Sequence, residues 1–109
     1  MQPQLPEAAG PPPAAPRWVR IYDNGGKSFD RYFVVFTGNY RRNTGGQVIG
    51  LGMSEYPFHP QGFGQHSYSD RAFDRPRSRH LGRRIPWAKL PYDCQRCARQ
   101  TYDSLWSKD

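Results

Sequence analysis

The stretch "RWVRIYDNGGKSFDRYFVVFT", Arg17 to Thr37, decides the fold. In its first part Trp18, Arg20 and Tyr22 alternate with Val19 and Ile21, the period-two pattern of a strand over Arg17 to Asp23. In its second part, Lys27 to Thr37, Phe29, Arg31, Phe33 and Val35 share one face. Asp30, Tyr32, Val34 and Phe36 share the other. Both faces turn apolar toward the end, so this strand is expected at the centre of a sheet. Between them Asn24-Gly25 is a strong hairpin signal, because a two-residue turn needs φ > 0 at both positions. The two strands are therefore expected to pair antiparallel.

Gly26-Lys27-Ser28 resembles the end of a phosphate-cradling loop. That loop needs a glycine five residues upstream and a helix after it. Position 21 is Ile21 and the residues after Ser28 are strand-periodic, so the segment reads as a turn.

Downstream, Gly38 to Gly46 reads as a loop, and "QVIGLGM", Gln47 to Met53, as a third strand weakened by two glycines. Ser54 to His80 has several prolines and no period, which predicts a long irregular excursion holding at most a short strand. "HLGRRI", His80 to Ile85, predicts a short edge strand with Leu81 and Ile85 toward the core. At the end, Pro91 suits a helix start, and Cys94, Cys97, Ala98, Thr101 and Leu105 recur on one helical stripe. Arg96, Arg99 and Lys108 fall elsewhere on that helix. The expected fold is α+β: a three- to four-stranded antiparallel β-meander, one C-terminal α-helix packed on it, and a long irregular loop.

With 109 residues, the chain has room for one modest core. Aromatics make up 15% of it against a mean hydropathy of −0.92, so large rings must build much of that core. Residues 1–16, rich in Pro and Ala, read as a disordered tail, and residues 17–109 as one small domain. Prolines interrupt the start too often for a secretory signal, and no apolar run is long enough to span a bilayer. A cytoplasmic protein with no membrane association is expected, its two cysteines reduced.

The net charge of +7 favours polyanions: nucleic acid, nucleotides or an acidic protein face. Arg71, Arg75, Arg77, Arg79, Arg83 and Arg84 cluster near the end of the excursion. Tyr56, Phe58, Phe63 and Tyr68 precede them. Were the two sets to interleave, guanidiniums and ring faces would suit single-stranded nucleic acid, with Arg31 joining from the central strand. A solvated basic loop is the plain alternative. "QGFGQHSY", Gln61 to Tyr68, partly matches an RNA-recognition strand motif, but Gln65 and His66 stand where strand formers are usual. A glycine-hinged loop anchored by Phe63 is the simpler expectation.

Cys94-x-x-Cys97 has redox or zinc spacing, yet both sulfurs fall on the apolar stripe, where thiols pack as small hydrophobes. Neither metal nor cofactor is expected. His59, His66 and His80 lie near Glu55, Asp70 and Asp74 in sequence, which leaves a small hydrolase as a third possibility after a binding module and a protein-interaction protein.

"VRIYDNGGKSFDRYFVVF", "LGMSEYPFHPQGFGQ" and "HLGRRIPWAKLPYDCQ" together resemble small uncharacterised bacterial and phage-encoded proteins with a similar hairpin, Pro-Gln-Gly-Phe-Gly loop and Leu-Pro helix start. The resemblance covers about residues 17 to 106. It implies a phage or accessory bacterial setting, with a host factor as a conceivable partner, and carries over no catalytic residue. The leading expectation is a non-catalytic module that binds an anionic partner.

Overall fold

Both halves of the opening stretch form strands where the alternation places them, β1 over Val19–Asp23 and β2 over Tyr32–Phe36. The computed structural model describes residues 12–37, 47–69 and 77–106. Strands β3 (Gln47–Met53), β4 (Phe63–Ser69) and β5 (Arg83–Ile85) complete a five-stranded sheet in the order β4-β3-β2-β1-β5, every neighbour antiparallel. Helix α1 spans Tyr92–Trp106. The α+β class and the central place of β2 agree with the sequence. The strand count does not: β4 arises inside the stretch expected to be irregular. Its residues pair along all of β3, from Gln47↔Ser69 to Met53↔Phe63, so a full ladder outweighs the weak strand propensity of Gly64, Gln65 and Ser67.

The β1–β2 turn is also longer than expected. Pairing stops at Asp23↔Tyr32, and residues 24–31 form a loop closed by the Asn24 N–H on the Arg31 carbonyl at 3.0 Å. Asn24 organises it through its side chain. Its Oδ1 accepts the N–H groups of Gly26 (2.8 Å) and Lys27 (3.0 Å), while Nδ2 donates to Ser28 Oγ (2.8 Å) and the Asp30 carbonyl (3.1 Å). Asp23 Oδ1 takes the Gly25 N–H at 2.8 Å. These side-chain turns replace the two-residue hairpin, and the positive φ falls on Gly25 (78°) and Gly26 (88°). With the Gly25, Gly26 and Lys27 amides occupied and a strand following, the loop cannot cradle phosphate as a helix-capping glycine loop does.

Alternation sorts the strands onto two layers. Toward α1 point Ile21, Tyr32, Val34, Phe36, Leu51 and Met53, which enclose Leu90, Cys94, Cys97 and Ala98 in the main core. The helix stripe is thus buried as its spacing predicts, and a fully buried side chain of Leu or Phe size contributes about 1.5–3 kcal/mol. The Pro91 carbonyl accepts the Gln95 N–H at 2.8 Å and so opens the helix. On the opposite face Tyr22, Val35, Val48 and Leu81 form a second cluster with Phe33 and Tyr68 beside it. Gly50 is what lets those two rings lie over β3, since a Cβ there would stand 2.7 Å from the Tyr68 ring and 2.8 Å from the Phe33 ring.

Leu81 and Ile85 were expected on one side, but they enter different clusters. Gly82 separates them: its φ of +92° kinks the chain between a 3₁₀ turn, Arg77–Leu81, and β5, and a Cβ there would collide with the Asp23 carbonyl. At the start of the described chain, Pro13 O accepts the Trp87 indole N–H at 3.0 Å and Ala14 O accepts from Arg99 at 3.2 Å. Pro16 is buried. The end of the Pro/Ala-rich stretch therefore lies against the folded domain.

Candidate functional site

The arginines divide by their partners. Arg31 donates through Nε and one terminal nitrogen to both oxygens of Asp23 (2.8 and 3.2 Å), and through the other to Glu55 at 2.9 Å. This fork is the partner that a charged residue beside a central strand requires. Arg31 holds the Asp23 carboxyl below the usual carboxylate range, against the opposing effect of burial, and the Gly25 amide adds to it. The two carboxylates in turn raise the Arg31 guanidinium further. Arg96 pairs with Asp93 at 3.2 Å and lies over the Phe58 ring at 4.9 Å; Arg99 pairs with Asp103 at 3.1 Å.

The other group has no such partners. Arg17, Arg20, Arg79, Arg83 and Arg84 are exposed, and among the described residues no carboxylate lies within ion-pair distance of any of them. Pairing of β5 with β1 places Arg84 opposite Tyr22, whose ring it covers at 6.0 Å, on the face away from α1, and Arg83 opposite Asp23 on the helix-side face shared with Ile21 and Ile85. Arg20 projects from the same face as Tyr22, on the diagonal from Arg84, a spacing of about 7–8 Å in an antiparallel pair. Arg79 precedes them in the 3₁₀ turn. Arg71 and Arg75 lie outside the described residues, as does the side chain of Arg77.

Trp18 ends this strip, and the sequence reading missed it. Placed on a strand face by alternation, it instead precedes β1 with φ of 57° and is 66% exposed. Thr37 holds it there, its N–H (2.7 Å) and hydroxyl (2.8 Å) both donating to the Trp18 carbonyl. A left-handed backbone at a non-glycine residue costs about 1–3 kcal/mol and is kept where the surroundings enforce it. The available signal was the residue itself, a tryptophan preceded by Arg17 and followed two residues on by Arg20 at the border of the domain. From Trp18 to Asp23 the strip follows β1 for roughly 17 Å at 3.4 Å per residue.

The expected interleaving of aromatics with the arginine cluster does not form. Phe63 and Tyr68 belong to β4 and Arg83 and Arg84 to β5, at opposite edges of the sheet, about 19 Å apart at 4.8 Å per strand step. Phe63 and Tyr68 also face opposite ways. Phe63 pairs with Met53 on the helix side, whereas Tyr68 packs edge-on against Phe33 on the other, 5.8 Å between centroids. From Phe63 onward the "QGFGQHSY" segment is a strand where a hinged loop was the simpler expectation, yet this parity keeps its two rings from forming one stacking surface. Phe63 is 46% exposed and anchors no loop. Tyr56, 60% exposed, stands with His59 in the β3–β4 connection, and Phe58 is covered by Arg96.

His59, His66 and His80 occupy three different elements: the β3–β4 connection, β4 and the 3₁₀ turn. Among the described residues no three His, Cys, Asp or Glu side chains gather as a metal site. Cys94 and Cys97 are free thiols buried in the main core, and Cys94 Sγ–H points to the Ser54 carbonyl at 3.4 Å. Burial pushes the Cys94 thiol up to about 12 and the Cys97 thiol up to about 11, so both are protonated packing groups at neutral pH. No helix among the described residues is long and apolar enough to cross a membrane.

Comparison of the chain with protein-family models, with curated proteins and with solved structures finds no match.

Proposed function

We propose that the protein is a non-catalytic binding module for a polyanion, with single-stranded nucleic acid as the ligand, and that the β1–β5 edge is its interface. The supporting observation is the division of the described arginines: Arg31, Arg96 and Arg99 are tied to carboxylates, while Arg17, Arg20, Arg79, Arg83 and Arg84 meet none among the described residues. Guanidiniums on both faces of one sheet edge, with no carboxylate partner among the described residues, raise the local potential, and release of counterions from a nucleic-acid backbone drives its binding there. Trp18 supplies an exposed ring at one end, and stacking a base on such a ring is sequence-tolerant. Arg71, Arg75 and Arg77 extend the basic character of the same stretch in sequence. The resemblance to bacterial and phage-encoded proteins gives this reading its setting, a small accessory protein meeting nucleic acid.

Filter binding to single-stranded DNA and RNA at two salt concentrations tests it. Affinity is expected to fall steeply with salt, and the combined substitution of Arg20, Arg79, Arg83 and Arg84 by Ala to lower the log–log salt slope by about 0.7 for each phosphate that is no longer neutralised. Unchanged affinity in that variant would overturn the proposal. A second reading, a protein partner at the opposite edge, draws on Phe63, exposed on edge strand β4. Its signature is a pull-down insensitive to nuclease and abolished by Phe63→Ser.

A further inference from the structure

At the end of the sheet where the β1–β2 and β3–β4 connections meet, a cleft of about 530 Å³ opens. Ser28, Phe29, Arg31, Glu55, Tyr56 and His59 line it. Its electrostatics run against those of the whole chain. Arg31 is the guanidinium that lines it, and it is bound by two carboxylates, Asp23 and Glu55, so these three bonded side chains sum to one negative charge, with Arg83 acting on the Asp23 side of the cluster and not on Glu55. Glu55 bonds to Arg31 through Oε2, its side chain is 48% exposed, and Oε1 has no partner among the described residues. Arg31 is thus neutralised toward any anion entering the cleft, and a carboxylate oxygen is available to a cation.

The rim has the matching chemistry. Phe29 is 67% exposed and Tyr56 60%, two large rings in water at one opening. Tyr56 is held in place: its N–H donates to Ser54 Oγ at 3.0 Å, and its ring stacks on His59 with centroids 5.3 Å apart and 21° between planes. Gly62 fits tightly under this loop, since a Cβ there would collide with the Tyr56 carbonyl. Ring faces carry negative quadrupole potential, and rings set beside a carboxylate select organic cations over both anions and neutral apolar groups. The volume admits a side chain with its flanking backbone.

We propose that the cleft binds the cationic side chain of a peptide, an alkylated lysine ammonium, between Phe29 and Tyr56 with Glu55 as counter-charge. The surface is distinct from the basic edge, so one domain would hold a polyanion and a basic peptide at once.

The test uses the full chain and three probes followed by NMR of the aromatic ring resonances: N-acetyl-trimethyllysine methylamide, its neutral tert-butyl isostere, and adenosine monophosphate. The cation is expected to shift Phe29 and Tyr56 saturably in the millimolar range or below, and the isostere to bind roughly ten-fold more weakly. Tyr56→Ala and Glu55→Gln should each weaken the cation roughly ten-fold. Both substituted residues are exposed, and a thermal melt establishes that the variants are folded. Equal binding of the neutral isostere, stronger binding of the nucleotide at these rings, no saturable shift with any probe, or an unaltered cation affinity in Tyr56→Ala each overturns the proposal. N-acetyl-arginine methylamide binding more tightly than the trimethylated probe would overturn the alkylated head group.

Discussion

The loop end and the β1–β5 edge share Asp23, yet treat charge in opposite ways. At the loop end Arg31 is locked between Asp23 and Glu55. One strand over, Arg83 stands opposite Asp23 in the ladder and adds to the field that lowers its pKa, but forms no ion pair. Asp23 has two oxygens, and the Arg31 fork takes both. The neighbouring arginines meet no carboxylate among the described residues. A net charge of +7 is therefore a poor description of this surface: among the described residues a compensated end, rimmed by Phe29 and Tyr56, stands apart from an edge whose arginines meet no carboxylate.

The largest expected effect comes from Gly82→Ala, which attacks the edge where it meets the loop end. The positive φ and the Asp23 carbonyl both oppose a Cβ, so a loss of about 2–4 kcal/mol is expected in chemical unfolding. Polyanion affinity should fall with it as β5 detaches from β1. Should the variant melt like the parent, the rigid placement of Arg83 and Arg84 would be wrong.

Alkaline pH probes the core that joins the two regions. The folded-state pKa values of Cys94 and Cys97, about 12 and about 11, lie above that of an unfolded thiol, so the stability they contribute is full below about pH 8.5. It is then lost as pH rises toward the folded values, by about 1.4 kcal/mol per pH unit for each thiol. Burial raises the Tyr32 phenol as well, with the same sign. Denaturant midpoints between pH 8 and 11 check this, and replacing both cysteines by Ala should flatten the slope.

Asn24→Ala breaks the loop end alone. It removes the acceptor for two amides and the donor to Ser28 and Asp30, and a loss of about 1–2 kcal/mol is expected. Slower or unchanged amide exchange at Gly26 and Lys27 would contradict the hub role. The smallest effect is Trp87→Phe, which deletes the hydrogen bond to Pro13 and should cost about 0.5–1.5 kcal/mol. Faster proteolysis near Pro13, with polyanion affinity unchanged, would separate the arm from both regions.

Much of the fold was legible before the structure. The two-residue alternation of Val19 to Tyr22 and Tyr32 to Phe36, and the stripe from Cys94 to Leu105, are local signals, because each side chain's direction follows from the backbone repeat. These assigned β1, β2, α1, the faces they bury and the packing of both cysteines. The β1–β2 turn was misjudged because Asn24 acts through its side chain, which a rule about backbone φ does not see. Strand β4 was hidden because Gly64, Gln65 and His66 have little preference of their own and become a strand only against β3.

The candidate site was legible in composition and not in arrangement. Arginines and aromatics near one another in sequence are carried to opposite sheet edges by the strand order, while Arg20 and Arg84, far apart in the chain, come to share a face. The local periods and the basic excess follow from sequence alone, but the ring-built core expected from composition is not what forms. Among the described residues the core is mainly Val, Ile, Leu, Met and Cys with Tyr22, Tyr32 and Phe36, while Trp18, Phe29, Tyr56, Phe58 and Phe63 are exposed, because strand parity and not ring size decides which side chains face inward. Tertiary structure alone decided which arginines meet carboxylates and which do not, because a salt bridge depends on distance through space, and only strand pairing and register set that distance.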